Sequence, residues 1–367
     1  MTRQRLAGRL VEAGCCLLVF VATLEACVRL EAAYRWGAPF WGAWSMDDLR
    51  SSGADGYFNR PGGRFEKWRI NASGFRGPEI AVEKPSGVVR VGVVGASEVF
   101  GLYESPGEEV TAQLQQTLDA TRPRRFEVVN LAAAGMSPPR MREFFEQRAR
   151  AFGLDVVVVY PTPALYLDVE PPRRQPPVGA TAPPTPRDSL RVLSQAWRMA
   201  RERLPSPLQD MLKRLTIERE RRPHGPGWVW DSTPADRLAL FEEDTAAVLD
   251  AVRGSGARAI LATHATRFGP SLDDQDRRML LGWNRFYPRA TTRCLLDMER
   301  KANGVLRRIG GEMDIPVTDI EKTMGGQSRY FADFSHFTDE GAQRAAGAMA
   351  REVLALPPAG VPARDRR

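Results

Sequence analysis

The sequence is poor in the two residue types that most often mark a metal or redox site, cysteine and histidine. Three of its four cysteines, Cys15, Cys16 and Cys27, lie in one N-terminal apolar stretch, and Cys294 stands alone. This spacing fits neither a disulfide framework nor a metal site, and we expect no metal or other cofactor. The chain also contains no internal repeat, so a repeat architecture is not expected.

A concentrated run of one charge is lacking as well. The 52 lysines and arginines exceed the 45 acidic residues and give a net charge of +7. However, the arginines are spread along the chain and alternate with acids in the stretches of helical pattern. A nucleic-acid-binding protein would concentrate them on one face or tail. We therefore interpret the charge as a solvated surface with some attraction to anionic lipid, and we expect no nucleic-acid partner.

The N-terminus carries an apolar stretch, residues 10–30, that is long enough to cross a bilayer. Glu25 interrupts this stretch, and the free-energy cost of placing its carboxylate in the bilayer falls toward the membrane interface. Arg29 lies one helical turn further on and can pair with Glu25. Three arginines precede the stretch, which predicts that the N-terminus lies inside and the remainder outside. We therefore predict an uncleaved, single-pass membrane anchor over residues 1–32.

Three other interpretations of this stretch remain open. A cleaved signal peptide has a similar composition, although no small-x-small cleavage site follows the apolar run. Lipid modification of Cys27 is a second interpretation, which the preceding Leu24-Glu25-Ala26 fits poorly. The third is a buried helix of a cytosolic fold.

Beyond the anchor, the sequence pattern changes twice. Residues 33–85 are rich in Trp, Gly and Arg without long periodicity, which indicates an irregular lead-in with short strands. Residues 86–357 alternate short apolar strands with amphipathic helices, a pattern that predicts a parallel sheet with helices on both faces, and residues 358–367 are expected to form a disordered tail. The predicted strands are Val88–Val94, Phe126–Leu131, Val156–Tyr160, Ala257–Thr263 and Ile315–Val317, and the predicted helices are Pro106–Ala120, Pro139–Phe152, 236–253 and 291–310.

Residues 170–233 break this alternation and are interpreted as an insertion. The insertion begins with a Pro-rich segment, Glu170–Arg187, that cannot form regular secondary structure, and continues with a basic helical pattern over Leu190–Arg222. We expect it to cap one edge of the sheet or to form a flexible arm. Ser271–Arg289 is expected to form a second, smaller lid.

The first chemical signal is Gly95-Ala96-Ser97, directly after the first predicted strand. In a parallel sheet, ligands bind beyond the carboxyl ends of the strands, so a serine at this point exposes its hydroxyl at the crevice. The helix that follows adds its N-terminal amides and the positive end of its dipole. Ser97 is therefore a candidate nucleophile, although a serine between a strand and a helix is also a common N-cap.

The second signal is Asp333-Phe334-Ser335-His336. A serine nucleophile needs a neighbouring base, histidine titrates near working pH, and the base needs a carboxylate that holds its tautomer. Asp333, three residues before His336 on a turn, can supply that carboxylate. His224 lies in a Pro/Gly turn and is expected to be exposed. His264 ends the fourth predicted strand, where it has either a structural role or a place in the crevice.

Together with two further blocks, these residues resemble the SGNH/GDSL hydrolase family, in particular its membrane-anchored bacterial members. The blocks follow the family's order over about residues 70–350. They are Asn71–Glu79, which resembles the lead-in; Gly95-Ala96-Ser97, which matches Gly-Asp-Ser with Ala replacing Asp; Asn130 with Gly135, which matches the second block; and Asp333 with His336, which matches Asp-x-x-His.

The resemblance implies a three-layer α/β/α fold with a five-stranded parallel sheet of flavodoxin-like type. It implies ester hydrolysis or acyl transfer without a metal, with Ser97 as nucleophile, His336 as base and Asp333 as its orienting acid. It also implies an oxyanion hole made by the amides of Ser97 and Gly135 and by an Asn side chain of a third block.

The third block is where the sequence departs from the family. The expected Gly-x-Asn-Asp is missing, and the chain reads Tyr160-Pro161-Thr162-Pro163 instead. Loss of one oxyanion donor typically costs about 2.7–4 kcal/mol of transition-state stabilisation. The Thr162 hydroxyl is one candidate replacement, although a threonine between prolines also suits a turn. Two other interpretations of the missing Asn are that the insertion supplies the oxyanion donor or that the enzyme is slow.

The resemblance and the anchor together predict a serine esterase outside the inner membrane, acting on an ester or on an acylated carbohydrate or lipid. An O-acyltransferase on envelope polysaccharide would use the same site with a sugar hydroxyl in place of water. The alternative from another class is a non-catalytic binding or scaffold protein of envelope assembly, for which the missing Asn is the best support. The oligomeric state is left open.

Overall fold

The computed structural model describes residues 2–41, 46–50, 58–121, 126–170, 172, 204–225 and 227–356. The predicted disordered tail, residues 358–367, lies outside the described residues. So do most of the Pro-rich segment and the first part of the basic helical pattern in the insertion. The described part of that pattern is a helix, Ser206–Arg221.

The N-terminal stretch forms one long helix, α1 (Thr2–Trp36). Residues 8–36 are long and apolar enough to cross a membrane, and no residue of their most apolar window is buried. This exposure fits a single-pass membrane anchor or a signal sequence and not a helix buried in a soluble core. The predicted pair between Glu25 and Arg29 is present, and Arg29 also donates to the carbonyl of Phe40 at 2.7 Å.

Five strands form the predicted parallel sheet. In the lead-in, β1 (Arg64–Phe65) and β2 (Trp68–Arg69) form a short antiparallel pair. The strands of the sheet are β3 (Val89–Gly95), β4 (Phe126–Asn130), β5 (Val156–Tyr160), β6 (Arg258–Ala262) and β7 (Val317–Thr318). Their order across the sheet is β4-β3-β5-β6-β7, and each neighbouring pair is parallel.

Helices cover both faces of the sheet, which confirms the three-layer α/β/α prediction. Side chains alternate along a strand, so Val93 of β3 joins one hydrophobic cluster and Val94 joins the other. In chain order the described helices after α1 are α2 (Ser97–Phe100), α3 (Val110–Thr121), α4 (Pro138–Gln147), α5 (Ser206–Arg221), α6 (Ala235–Gly254), α7 (Asp274–Asn284), α8 (Thr292–Glu312), α9 (Ile320–Met324) and α10 (Asp339–Ala355). Helices α4, α6 and α8 pack on the Val94 side of the sheet, and α3, α9 and α10 pack on the Val93 side.

Several predicted boundaries shift for local reasons. The predicted helix from Pro106 begins only at Val110, because Gly107 adopts φ +87° and its amide bonds to the Glu109 carboxylate. The helix predicted to reach Phe152 ends at Gln147, and a separate 3-10 turn, Ala149–Phe152, follows it.

The segment expected as a small lid is instead part of the folded domain. It forms α7, which begins with a capping box between Asp273 and Asp276. Leu280 and Trp283 of α7 belong to the hydrophobic core, and the Trp283 ring stacks on Phe334 at 5.1 Å between centroids. The helix therefore forms a wall beside the turn that carries His336.

Candidate active site

The turn between β3 and α2 presents Ser97 at the carboxyl end of β3, an interior strand of the sheet. Gly95 makes this turn possible. A Cβ at this position would lie 2.5 Å from Val99 Cγ2 and 3.2 Å from the carbonyl oxygen of Tyr160. Helix α2 ends after four residues at Gly101, which is left-handed (φ 80°). Ser97 is the first residue of α2, so its amide belongs to the N-terminal amides that have no partner within a helix.

His336 reaches the same point from the other end of the chain. Its Nε2 lies 2.8 Å from Ser97 Oγ, and its Nδ1 lies 2.8 Å from Asp333 Oδ2. The Asp333 carboxylate also accepts from the amides of Ser335 and His336, each at 3.0 Å. The structure therefore brings the three predicted residues into one hydrogen-bonded chain of carboxylate, imidazole and hydroxyl.

The surroundings of His336 favour its protonated form. Burial alone would lower the pKa of the imidazole. The hydrogen bond to Asp333 and the negative charges of Glu98, Asp333 and Glu104 outweigh that effect, so the pKa of His336 lies above its ordinary value of 6.5. An imidazole in this setting is a stronger base toward a serine proton than an isolated one.

The loop after β4 carries the second predicted block. Asn130 donates from Nδ2 to the carbonyl of Val99 at 2.9 Å and to Thr111 Oγ1 at 3.1 Å, and its Oδ1 accepts from the amide of Ala132 at 3.0 Å. This asparagine therefore braces α2 and the loop, which brings Gly135 (φ 79°) to the wall of the cleft that contains Ser97.

Thr162 lies close to the site, but its hydroxyl has another partner. The Oγ1 donates to Glu98 Oε2 at 3.2 Å. A threonine hydroxyl has a single proton, so in this arrangement it is directed to the carboxylate and not to an oxyanion. The oxyanion hole proposed below therefore consists of backbone amides.

Glu98 is a residue of the candidate site that no motif in the sequence marks. The side chain of Glu98 is buried, and Oε1 accepts from Ser335 Oγ at 2.9 Å and faces His264 Nε2 at 3.4 Å. His264, also buried, contacts Glu299 Oε2 through Nδ1 at 2.6 Å. His264 thus holds a structural position beneath the crevice. His224 is exposed, as predicted, and stacks on Trp228.

The lead-in block locks the far end of α2. Asn71 accepts from the amides of Ser73 and Phe75 and so closes the turn that precedes Arg76. The buried Arg76 guanidinium donates to the carbonyls of Phe100 and Gly101, pairs with Glu109 and lies 4.9 Å over the Phe100 ring. The lead-in is therefore part of the scaffold that holds Ser97.

The triad opens into a cleft of about 1020 Å³. Aromatic rings line the side beside His336, where the half-exposed ring of Tyr103 lies 5.3 Å from the imidazole. The inserted region reaches the cleft through Lys213 of α5, which also donates to the carbonyl of Arg278 on α7. In addition to Glu98 and Asp333, the charged residues that line the cleft are Arg50, Asp168, Glu170, Lys213, Arg278 and Arg285.

Comparisons with known proteins give similarity at low sequence identity. No protein-family model matches the chain, and no curated protein gives a significant match. Among solved structures the chain is similar to the lipase/acylhydrolase from Enterococcus faecalis, with a TM-score of 0.43 and 14% identity over 72% of this chain and 95% of that one. It is also similar to a variant of an acetyl xylan esterase from Geobacillus stearothermophilus (TM-score 0.41, 14% identity, 72% and 94% covered). A third similar structure is the acetyl xylan esterase AlAXEase (TM-score 0.42, 12% identity, 72% and 100% covered).

Proposed function

We propose that this chain is a serine esterase of the SGNH type that forms an acyl-enzyme on Ser97. The observation that carries the proposal is the 2.8 Å contact between Ser97 Oγ and His336 Nε2, with Asp333 bonded to the opposite ring nitrogen. A hydroxyl, a base and an orienting acid in this order are what nucleophilic ester cleavage requires.

The reaction follows from these positions. His336 takes the Ser97 proton as Oγ attacks the ester carbonyl, and the imidazolium then gives that proton to the departing alcohol. The amides of Ser97 and Gly135 donate to the oxyanion of each tetrahedral intermediate. Water, activated by His336, releases the acid and restores the hydroxyl.

The membrane association belongs to the same proposal. Helix α1 is the anchor, and the three arginines that precede its apolar stretch favour a catalytic domain outside the inner membrane. The substrates within reach there are esters of lipid or acylated carbohydrate, and a cleft of about 1020 Å³ with aromatic and charged walls accommodates either class.

Covalent labelling of Ser97 is the direct test. Full-length protein in detergent micelles is treated with a fluorophosphonate probe, and hydrolysis of p-nitrophenyl acetate is measured in parallel. Wild type is expected to be labelled and active, and Ser97→Ala is expected to be unlabelled with the background rate. Ser328→Ala, an exposed serine away from the cleft, is the matched control and should behave as wild type.

Two other outcomes have defined meanings. A Ser97→Ala protein that keeps the wild-type rate refutes the nucleophile. A folded wild type that is neither labelled nor active supports the binding or scaffold alternative. Adding a polysaccharide acceptor to the active enzyme distinguishes hydrolysis from acyl transfer, because transfer yields an O-acylated sugar in place of free acid.

A further inference from the structure

The carboxylate of Glu98 connects the separate chain segments that meet at the site. Glu98 directly follows Ser97, and its Oε1 accepts from Ser335, the residue directly before His336. Its Oε2 accepts from Thr162, in the loop after β5. One buried carboxylate therefore links the turn that carries Ser97 to the turn that carries His336 and to the loop after β5.

His264 supplies the positive charge that allows this carboxylate to be buried. The imidazole lies between Glu98 and Glu299, and Asn303 fixes its backbone by accepting from the His264 amide and donating to the His264 carbonyl, both at 2.8 Å. Burial alone would lower the pKa of His264, but the two carboxylates raise it to about 10. Burial alone would likewise raise the pKa of Glu98, and the hydrogen bond and charge of His264 lower it to about 2.

We propose that Glu98, with His264 as its counter-ion, is a positioning residue of the active site: its carboxylate fixes the Ser335–His336 turn against Ser97 and supports positive charge on the imidazole. The inference rests on the proposed function, because His336 is taken as the base. Glu98 does not touch the substrate's reacting atoms in this arrangement, since the acceptors on its carboxylate face Ser335, Thr162 and His264.

A purely structural ion pair would make a different prediction. Such a pair would stabilise the fold without changing how His336 titrates. Here the acids that face His336 are Asp333 on its own turn, Glu98 from α2, and Glu104 from the loop after α2. The titratable ring of Tyr103 also lies 5.3 Å from the imidazole. Removing the Glu98 charge leaves the other two acids in place, so its separate effect on the imidazole can be measured.

The histidine content of the chain makes this measurement direct. The chain has three histidines, so ¹⁵N-imidazole NMR of the full-length protein in micelles reports each ring. In Glu98→Gln, which keeps the side-chain shape, the titration midpoint of His336 should fall below the wild-type value. The exposed His224 should not move, and Glu312→Gln, an exposed glutamate on α8, should leave all three rings unchanged.

Kinetics test the positioning part separately. Ser335→Ala removes the link but keeps the Glu98 charge, so kcat should fall about tenfold or more, with KM and the His336 midpoint close to wild type. In Glu98→Gln the acid limb of the kcat/KM profile should move to lower pH together with the NMR midpoint.

The proposal is overturned if Glu98→Gln leaves the His336 midpoint unchanged, or if Ser335→Ala keeps the wild-type kcat. Should Glu98→Gln fail to fold, the Ser335→Ala result decides the case. The NMR midpoint can be measured without turnover. A wild-type protein that shows no esterase activity would therefore refute the proposed function, and its NMR titration would still test the effect of Glu98 on His336.

Discussion

The carboxylate of Asp333 holds His336 through both its ring and its backbone. Asp333 accepts from ring Nδ1 at 2.8 Å and from the His336 amide at 3.0 Å. The backbone bond sets the turn, while the ring bond leaves Nε2 free of a proton and directed at Ser97. The two functions can be separated by substitution.

Asp333→Asn should preserve the turn and abolish most of the activity. The asparagine oxygen can still accept from the backbone amides, but its NH₂ group favours the wrong tautomer of His336. We expect kcat to fall about 10³–10⁴-fold with little change in thermal stability. Steady-state hydrolysis of a p-nitrophenyl ester measures it, with the exposed Asp250→Asn on α6 as the control. Wild-type kcat in Asp333→Asn would show that the ring bond has no catalytic role.

The pH profile should report the raised pKa of His336. The base must be neutral to accept the Ser97 proton, so kcat/KM should fall as pH decreases through a midpoint above 6.5. Burial raises the pKa of nearby Glu104 to about 7, and its ionised form helps to raise that of His336. Glu104→Gln should therefore shift the midpoint to lower pH. A midpoint at or below 6.5 in wild type would contradict the assignment of His336 as a base in this environment.

The buried ion pair predicts a defined loss of stability at high pH. The folded pKa of His264 is raised from 6.5 to about 10, so its stabilisation is fully present below pH 6.5 and is lost as pH rises toward 10. Glu98 has a depressed pKa of about 2, so its stabilisation is present above pH 4.5 and is lost below it.

His264→Gln should flatten the alkaline part of this dependence. Removal of one partner leaves buried carboxylates without compensation and should lower the free energy of unfolding by about 3–5 kcal/mol at neutral pH. Urea denaturation from pH 6 to pH 10 measures both effects, and the difference between variant and wild type should shrink as pH rises. A constant difference across this range would mean that His264 is neutral in the folded protein.

The nucleophile turn should not tolerate a side chain at Gly95. Its Cβ would meet Val99 Cγ2 at 2.5 Å, so we expect Gly95→Ala to cost about 1–3 kcal/mol through overpacking. The cost should be smaller in a Val99→Ala background, which a double-mutant cycle of urea midpoints detects. Gly254→Ala at the exposed end of α6, where a Cβ meets nothing within 4 Å, should not destabilise. Equal effects at the two glycines would refute the steric explanation.

The order of strands and helices could be predicted because each leaves a local pattern. Val156–Tyr160 is apolar on both faces and forms a central strand with the predicted bounds. The sequence predicts a last strand that begins at Ile315. In the structure the Ile315 amide instead bonds to the carbonyl of Gly310 in the last turn of α8, and the strand is Val317–Thr318.

Motifs in the sequence mark one part of the candidate site, and contacts between distant segments create the other part. Ser97, Asp333 and His336 stand in recognisable blocks. Glu98 gave no signal, because an acid in the first turn of a helix is ordinary. Its importance arises from partners 166 and 237 positions away, His264 and Ser335. The missing third-block Asn makes the Thr162 hydroxyl a candidate oxyanion donor, and nothing in the sequence indicates that this hydroxyl bonds to the buried Glu98.

Packing contacts and a hydrogen bond join the end of α1 to the α/β domain and the segment that follows the helix. Ala32 and Trp36, in the last turns of the helix, pack against the cluster beneath α3 and α10, and Arg29 bonds to Phe40 just beyond the helix end. If α1 crosses a bilayer, a joint of this kind sets the height and tilt of the cleft above the lipid surface. Such an enzyme would choose among esters by their distance from the membrane, in addition to their chemistry.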